Sequence, residues 1–156
     1  MLRELPTVIQ LIEIGPSGLP DAAIEASELI QSVCQANQSL YQKTGFHPPW
    51  IAYLAQRGDD LVGTCAFKSP PREGKVEVAY CTFPEYEGQG IATWMTGQLI
   101  AIGHQTSPDT IITANTLPQR NASTSILEKL GFNHVGKGHD DEVGTTWFWE
   151  LAPGPE

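Results

Sequence analysis

The sequence predicts one domain of the α/β class, more closely α+β, with elements in the order β-α-β-β-β-α-β-α-β-β. Three observations carry this reading. Residues 75–83 alternate, with Val76, Val78 and Tyr80 facing one way and Glu77, Ala79 and Cys81 the other, the period of a strand. Residues 91–105 place Ile91, Met95, Leu99 and Ile102 on one face, the period of a helix. Turn and cap signals divide the rest into short pieces, among them Arg57-Gly58-Asp59-Asp60, Ser69–Gly74 and Gly131.

In chain order, Thr7–Ile14 reads as the first strand, rich in β-branched residues. Leu19-Pro20-Asp21 reads as a helix start, followed by Ile24, Leu29, Ile30 and Val33 at roughly helical spacing. Asn37–Pro49, polar and Pro-containing, reads as a loop with one helical turn. Trp50–Gln56 and Leu61–Phe67 are strands joined by the hairpin turn at 57–60. Ser69–Gly74 turns into the strand Lys75–Phe83. The helix Ile91–Gln105 follows, then the strand Thr110–Thr116. Asn121–Leu130 is a second long helix, closed by Gly131 at its C-cap. Phe132–Val135 is a short strand, Lys137–Val143 a polar acidic turn and Thr145–Leu151 the last strand. Residues 152–156 read as a frayed tail. No internal repeat or interdomain linker is visible.

The 156 residues suit one domain with a proper core, and an apolar content of 40% argues against disorder. A net charge of −9 and a pI near 4.8 argue against nucleic acid or an anionic membrane as partner. The same charge suits a cationic acceptor. Cys34, Cys65 and Cys81 are odd in number and widely spaced, with no metal-ligand spacing, which fits a reducing cytoplasmic compartment and no metal. No signal peptide or apolar run of about 18 residues is visible.

Residues 76–92 carry the chemistry. A strand-like run ends at Phe83, a loop holds Gly88, Gln89 and Gly90, and a helix begins near Ile91. Glycines let backbone N–H groups approach an anion, and a helix start presents unpaired donors with a partial positive charge. An ordinary strand-to-helix turn would look the same. The residues argue against a Walker loop, because Ile91, Ala92 and Thr93 follow Gly90 with no lysine, and against a Rossmann fingerprint, because Thr93 stands where a third glycine is needed.

This stretch resembles the acyl-CoA-binding motif of the GNAT superfamily of N-acetyltransferases. Two further segments match in order and spacing: Ile111–Asn115, and residues 121–132, which end Leu-Glu-Lys-Leu-Gly-Phe and resemble the family's second CoA-side motif. The resemblance spans nearly the whole chain. It implies the GNAT fold, a mixed, mostly antiparallel sheet of about seven strands flanked by helices. It also implies acetyl-CoA as co-substrate, a primary amine as acceptor (a protein N-terminus or a small amine) and direct transfer in a ternary complex. Glu87, Gly88, Gln89, Gly90, Ile91, Ala92 and Thr93 would hold the pyrophosphate. The pantetheine arm would lie between the fourth and fifth strands, against Thr82 and Phe83, with Asn121 and Ser123 beside it. For Asn121 a plain helix cap reads equally well. An exposed final strand or paired sheets would allow a homodimer. A non-catalytic acyl-CoA-binding or interaction module on the same fold is the alternative. Two departures favour it: Glu87 stands where the family has Arg or Gln, and Leu127 where many members have a tyrosine that protonates the thiolate.

Acetyl transfer needs a neutral amine. A lysine-like amine is neutral in roughly one molecule in 10³ at pH 7, a deficit of about 4.6 kcal/mol. A positioned base recovers about 10²–10⁴-fold in rate. The resemblance points to Glu77 in the fourth strand, in a site walled by Tyr80, Trp50, Phe46 and Trp147. The competing reading is a solvent-facing glutamate paired with Lys75 or Arg72. A backbone N–H near Thr82 or Phe83 would polarise the thioester carbonyl. Cys81 has no His or Asp neighbour for a covalent route, and His47, His104, His134 and His139 show no metal spacing. The acceptor would enter between Asn37–Pro49 and Lys137–Val143.

Overall fold

The computed structural model describes residues 8–18 and 27–153. Seven strands, β1 (Ile9–Glu13), β2 (Ala52–Arg57), β3 (Asp60–Phe67), β4 (Lys75–Thr82), β5 (Ile111–Thr116), β6 (Asn133–Asp140) and β7 (Gly144–Leu151), form one sheet in the order β1-β2-β3-β4-β5-β7-β6. Helices α1 (Glu28–Thr44), α2 (Ile91–Thr106) and α3 (Ala122–Lys129) flank it, and a single 3₁₀ turn spans Pro84–Tyr86. Every neighbouring pair is antiparallel except β4 with β5. The expected element order and the mixed, mostly antiparallel sheet are both present.

The first corrections fall on α1. The expected start at Leu19-Pro20-Asp21, with Ile24, lies outside the described residues. The described helix begins at Glu28, where Ser27 accepts from the Ile30 N–H (3.3 Å) as N-cap. It then runs eight residues into the expected loop, through Asn37 to Thr44. The anchor is Tyr41, buried two turns beyond Val33 and Cys34. Its hydroxyl donates to Ile14 O (2.8 Å) and accepts from Ala52 N–H (2.9 Å), tying α1 to β2 and the end of β1. The polar residues around Tyr41 face outward and hide the periodicity. Gly45, at φ +82°, ends the helix.

The second correction is at the other end of the chain. Lys137–Asp140 is not a turn: β6 continues to Asp140 in register with β7, past an irregularity between His134 and Gly136. β6 is an edge strand exposed along most of its length, so no buried face imposes an apolar alternation. The final strand β7 lies inside the sheet, and the exposed edge is β6, so an exposed final strand is not available for pairing.

The core is built from alternate residues of the strands. Phe67, Val76, Val78 and Ile112, on the same face as Gly63, pack with Ile91, Met95 and Leu99 of α2. Gly63 lets α2 close on β3: a Cβ there would stand 2.9 Å from both Cys81 O and Met95 Cε. Tyr80 shares the α2 face of β4 with Val76 and Val78, and its hydroxyl donates to Ser123 O of α3 (3.2 Å). Helices α2 and α3 therefore cover one face of the sheet around β4. Glu77, Ala79 and Cys81 point to the other.

Candidate active site

The β4–β5 ladder is short. Lys75, Val76 and Glu77 pair with Ile111, Ile112 and Thr113, and no pair follows. Past Glu77 the strands diverge, which leaves a V-shaped opening with Glu77 at its apex. At the wide end, β4 runs through the 3₁₀ turn and the glycine loop into α2. β5 runs into α3 there as well, so two helix N-termini flank the mouth.

Ladder parity decides which backbone groups face the opening. Phe83 N–H donates to Val62 O (2.9 Å) and Lys68 N–H to Glu77 O (2.9 Å). Odd-numbered residues of β4 therefore bond β3, and the even-numbered ones turn their N–H and C=O toward β5. Past Glu77 these are Val78, Tyr80 and Thr82. The expectation that Phe83 N–H contacts the cofactor arm is corrected here. Its donor is engaged by β3 and its side chain is buried in the core. The Thr82 expectation keeps its geometry, and Tyr80 joins it.

A cavity of about 860 Å³ lies at the wide, loop end of this opening, between β4, the glycine loop, α2 and α3. Its walls include Tyr80, Cys81 and Thr82 of β4, then Glu87, Gly88, Gly90, Ile91, Ala92 and Thr93 of the loop and first turn of α2. Ala122, Ser123, Ser125, Ile126 and Lys129 of α3 close the opposite side. Gly88 (φ +78°) and Gly90 (φ +79°) occupy left-handed conformations, and a Cβ on either would meet no atom within 4 Å. They are glycines for backbone conformation and an open approach, not for tight packing against protein. Gly90 is the N-cap of α2 and makes no side-chain cap, so the first N–H groups of α2 remain available.

Two expected residues take other roles. Gln89 does not line the cavity; its Oε1 accepts from Arg57 Nη1 (2.8 Å), and the Arg57 guanidinium also lies over the Tyr86 ring (5.6 Å). Arg57 thereby braces the loop from the β2–β3 hairpin. Asn121 is the N-cap of α3: its Oδ1 accepts from Thr124 N–H (3.1 Å) while Thr124 Oγ1 accepts from Asn121 N–H (2.9 Å). This capping box orients the helix whose next residues, Ala122 and Ser123, line the cavity.

Glu87 lines the cavity, as the loop's departure from the family pattern foreshadows, and Lys129 of α3 lines it too. Lys129 escapes sequence reasoning because it sits two turns into the helix; the spacing Ala122, Ser123, Ser125, Ile126, Lys129 is the available signal. Leu127 is fully buried and faces the core. The phenol in the cavity is Tyr80 instead, with its pKa pushed up to about 12 by burial against a smaller opposing effect of the Ser123 side chain.

Glu77 forms an ion pair with Lys68 (2.9 Å), which stands one residue past the end of β3 and directly opposite Glu77. The pairing with Lys75 or Arg72 is corrected: Lys75 reaches Glu150 on β7 (2.6 Å). Among the expected walls, Trp50 packs edge-on against Phe67, Phe46 against Tyr41, and Trp147 beside His134. The Glu77 side chain is 28% exposed.

Residues 5–133 match the family model described as "Acetyltransferase (GNAT) domain". The chain belongs to the GNAT acetyltransferase family. Solved structures of the same fold span most of it at low identity. RimL, a "ribosomal L7/L12 alpha-N-protein acetyltransferase", superposes at TM-score 0.69 with 14% identity, over 97% of each chain. The yncA protein from Salmonella typhimurium, solved with its cofactor acetyl-CoA, gives 0.59 with 16% identity over 87% of this chain and 78% of that one. A chimera of the spermidine N-acetyltransferase SpeG from Vibrio cholerae with hSSAT gives 0.65 with 12% identity, over 92% and 95%. Among curated proteins, none matches the sequence. At these identities the structural likeness speaks to the fold. Among the described residues no helix is long and apolar enough to cross a membrane, and no cluster of three metal-ligating side chains occurs.

Proposed function

We propose that this GNAT acetyltransferase uses acetyl-CoA to acetylate a primary amine, by direct transfer in a ternary complex. The observation that carries the reading is the opening between β4 and β5 with a glycine loop and the α2 N-terminus at its mouth. A ligand for this opening needs two chemistries. Its anionic end would meet the N–H groups of the loop and first turn of α2, each interaction contributing roughly 0.3–1 kcal/mol when exposed and about 2 when partly buried. Its arm would need amides to pair with the strand groups of Tyr80 and Thr82. The pyrophosphate and pantetheine of CoA supply both. The Glu87 carboxylate opposes the anion, and the Lys129 ammonium across the cavity offsets it.

In this reading Glu77 is the base. It takes a proton from the incoming ammonium, directly or through water, as the nitrogen attacks the thioester carbon from the face opposite α2 and α3. The Tyr80 N–H, turned into the gap, donates to the developing oxyanion. The Tyr80 phenol keeps its proton at neutral pH and, on turning its O–H away from Ser123 O, would donate a hydrogen bond to the leaving thiolate.

The acceptor class is tested by thiol release from acetyl-CoA against peptide N-termini, lysine peptides, polyamines and small amines. Release with one class, abolished in Gly90→Glu, is the expected result. Acetyl-CoA binding without release to any acceptor would favour the non-catalytic module, for which Glu87 in the cavity wall is the specific support. The cellular compartment expected from the cysteines is cytoplasmic, and the acidic surface favours a cationic acceptor over nucleic acid or membrane. A homodimer, if formed, would use the β6 edge or β1 edge, and sedimentation tests it.

A further inference from the structure

We propose that Lys68 is an acetylation site of this protein, modified in cis by its own active centre. The inference rests on the proposed function. Its ground is the placement of one amine at the catalytic apex. Lys68 follows β3 directly, and its backbone N–H bonds Glu77 O (2.9 Å), which fixes the register. Its Nζ stands 2.9 Å from Glu77 Oε2, within the reach that general-base catalysis requires. Glu77 is the last residue of β4 with a partner on β5, so this contact sits at the apex of the opening where an arm inserted from the loop would end. From Thr82 to Glu77 is five residues, roughly 16 Å of strand at about 3.3 Å each.

The amine also has the freedom that transfer needs. Lys68 is 44% exposed on its side chain, and the sheet face carrying Glu77, Ala79 and Cys81 is the one that α2 and α3 leave open. The other lysines lack this placement. Lys75 pairs with Glu150, Lys129 lines the cavity from the last turn of α3, Lys43 is in the last turn of α1, and Lys137 is on the exposed edge strand.

The step balances without a further reactant. The Lys68 ammonium gives one proton to Glu77, and its nitrogen attacks the acetyl carbon. The new C–N bond forms as the C–S bond breaks. The nitrogen then loses its second proton, and the thiolate takes up one. The products are acetyl-Lys68, CoA thiol and one proton released to solvent. The product cannot ion-pair with Glu77, so the same event frees the carboxylate for an external amine.

The test is peptide mapping by mass spectrometry of the full chain incubated with acetyl-CoA at neutral pH, with acetyl-CoA titrated on the same sample. Lys68 is expected to label at least tenfold faster than Lys43, Lys75, Lys129 or Lys137. That rate should be independent of protein concentration and fall at least tenfold in Glu77→Gln. Lys68→Arg, which keeps the ion pair, should abolish the fast label without raising any other site. Labelling of Lys68 at the pace of the other lysines, in a sample that binds acetyl-CoA and acetylates an external amine, overturns this inference and leaves the proposed function standing. A sample that binds no acetyl-CoA overturns both.

Discussion

Gly90 and Gly74 make a matched pair for testing the anion loop. Both sit at φ +79°, and a Cβ built on either meets nothing within 4 Å. One begins α2 at the mouth of the cavity; the other closes the turn before β4, where its carbonyl accepts from Ile111 N–H (2.9 Å). Alanine at either position carries the left-handed penalty of about 1–2 kcal/mol and no steric clash. For a chain of this size that lowers Tm by roughly 2–8 °C in both variants. Their effects on acetyl-CoA should part. The space beside Gly90 is where an anion would meet the α2 donors, and a methyl there displaces it from at least one N–H. Losing one part-buried interaction of about 1–2 kcal/mol weakens binding roughly 5- to 30-fold. Gly74→Ala should leave affinity unchanged. Calorimetric titration of acetyl-CoA and thermal melts of both variants provide the comparison. Equal affinities alongside equal melts would refute the assignment of the loop as the anion site.

Three further outcomes are expected. Asn121→Ala removes half of the α3 capping box and should cost about 1–2 kcal/mol in urea unfolding, whereas Asn121→Asp should retain most of it; an unchanged midpoint in the alanine variant would contradict the cap. Gly63→Ala places a Cβ 2.9 Å from Cys81 O and Met95 Cε, so a loss of about 1–3 kcal/mol is expected, with Met95→Ala in the same chain restoring part of it. Burial raises the phenols of Tyr41, Tyr53 and Tyr80, the last to about 12 from an ordinary 10. The unfolded chain therefore loses these protons first, and stability present below pH 10 falls as pH rises toward 12. Tyr80 contributes no more than about 2–3 kcal/mol of that loss, less what solvent screens. Denaturant midpoints between pH 9 and 11.5 measure it, and Tyr80→Phe should flatten the curve.

Much of the fold was legible because it was locally encoded. The alternation of Val76, Val78 and Tyr80 and the helical face of Ile91, Met95 and Leu99 are each set by burial of one side, so period and structure agree. The misreadings fell where burial was sparse. In the second half of α1, Tyr41 alone is buried among polar neighbours, and β6 at the sheet edge has no apolar face at all. The site divided in the same way. Gly88 and Gly90 were readable because their conformations admit little else. The partner of Glu77 was not, because it depends on register across the β3–β4 turn. Two more residues in that turn's count would have brought another residue opposite Glu77 in place of Lys68. The backbone role of Phe83 was misread for a related reason. Parity within a ladder alternates residue by residue, and only the pairing of Phe83 with Val62 fixes which N–H groups face the gap.

That parity bears on what kind of ligand the opening selects. Between the end of the β4–β5 ladder and the loop, β4 turns the polar groups of Tyr80 and Thr82 into the opening. β5 is bonded to β7 along its other edge through Thr116, which leaves its near edge unpaired past Thr113. Unpaired backbone groups in a part-enclosed site each cost about 1–3 kcal/mol unless water or a ligand meets them. A bare phosphate or a nucleotide would satisfy the α2 donors and leave these strand groups to water. A chain with amides at strand-like spacing would pair with both edges and complete the sheet across the gap. The loop alone therefore argues for an anion, and the divergent strands argue for an amide-bearing arm attached to it. Pantetheine phosphate fragments lacking the nucleotide should retain measurable binding, weakened further by Gly90→Ala. ADP should bind more weakly than acetyl-CoA by more than the loss of its thioester explains. If ADP bound as tightly as acetyl-CoA, the strands would contribute nothing to recognition, and the opening would be a nucleotide site alone.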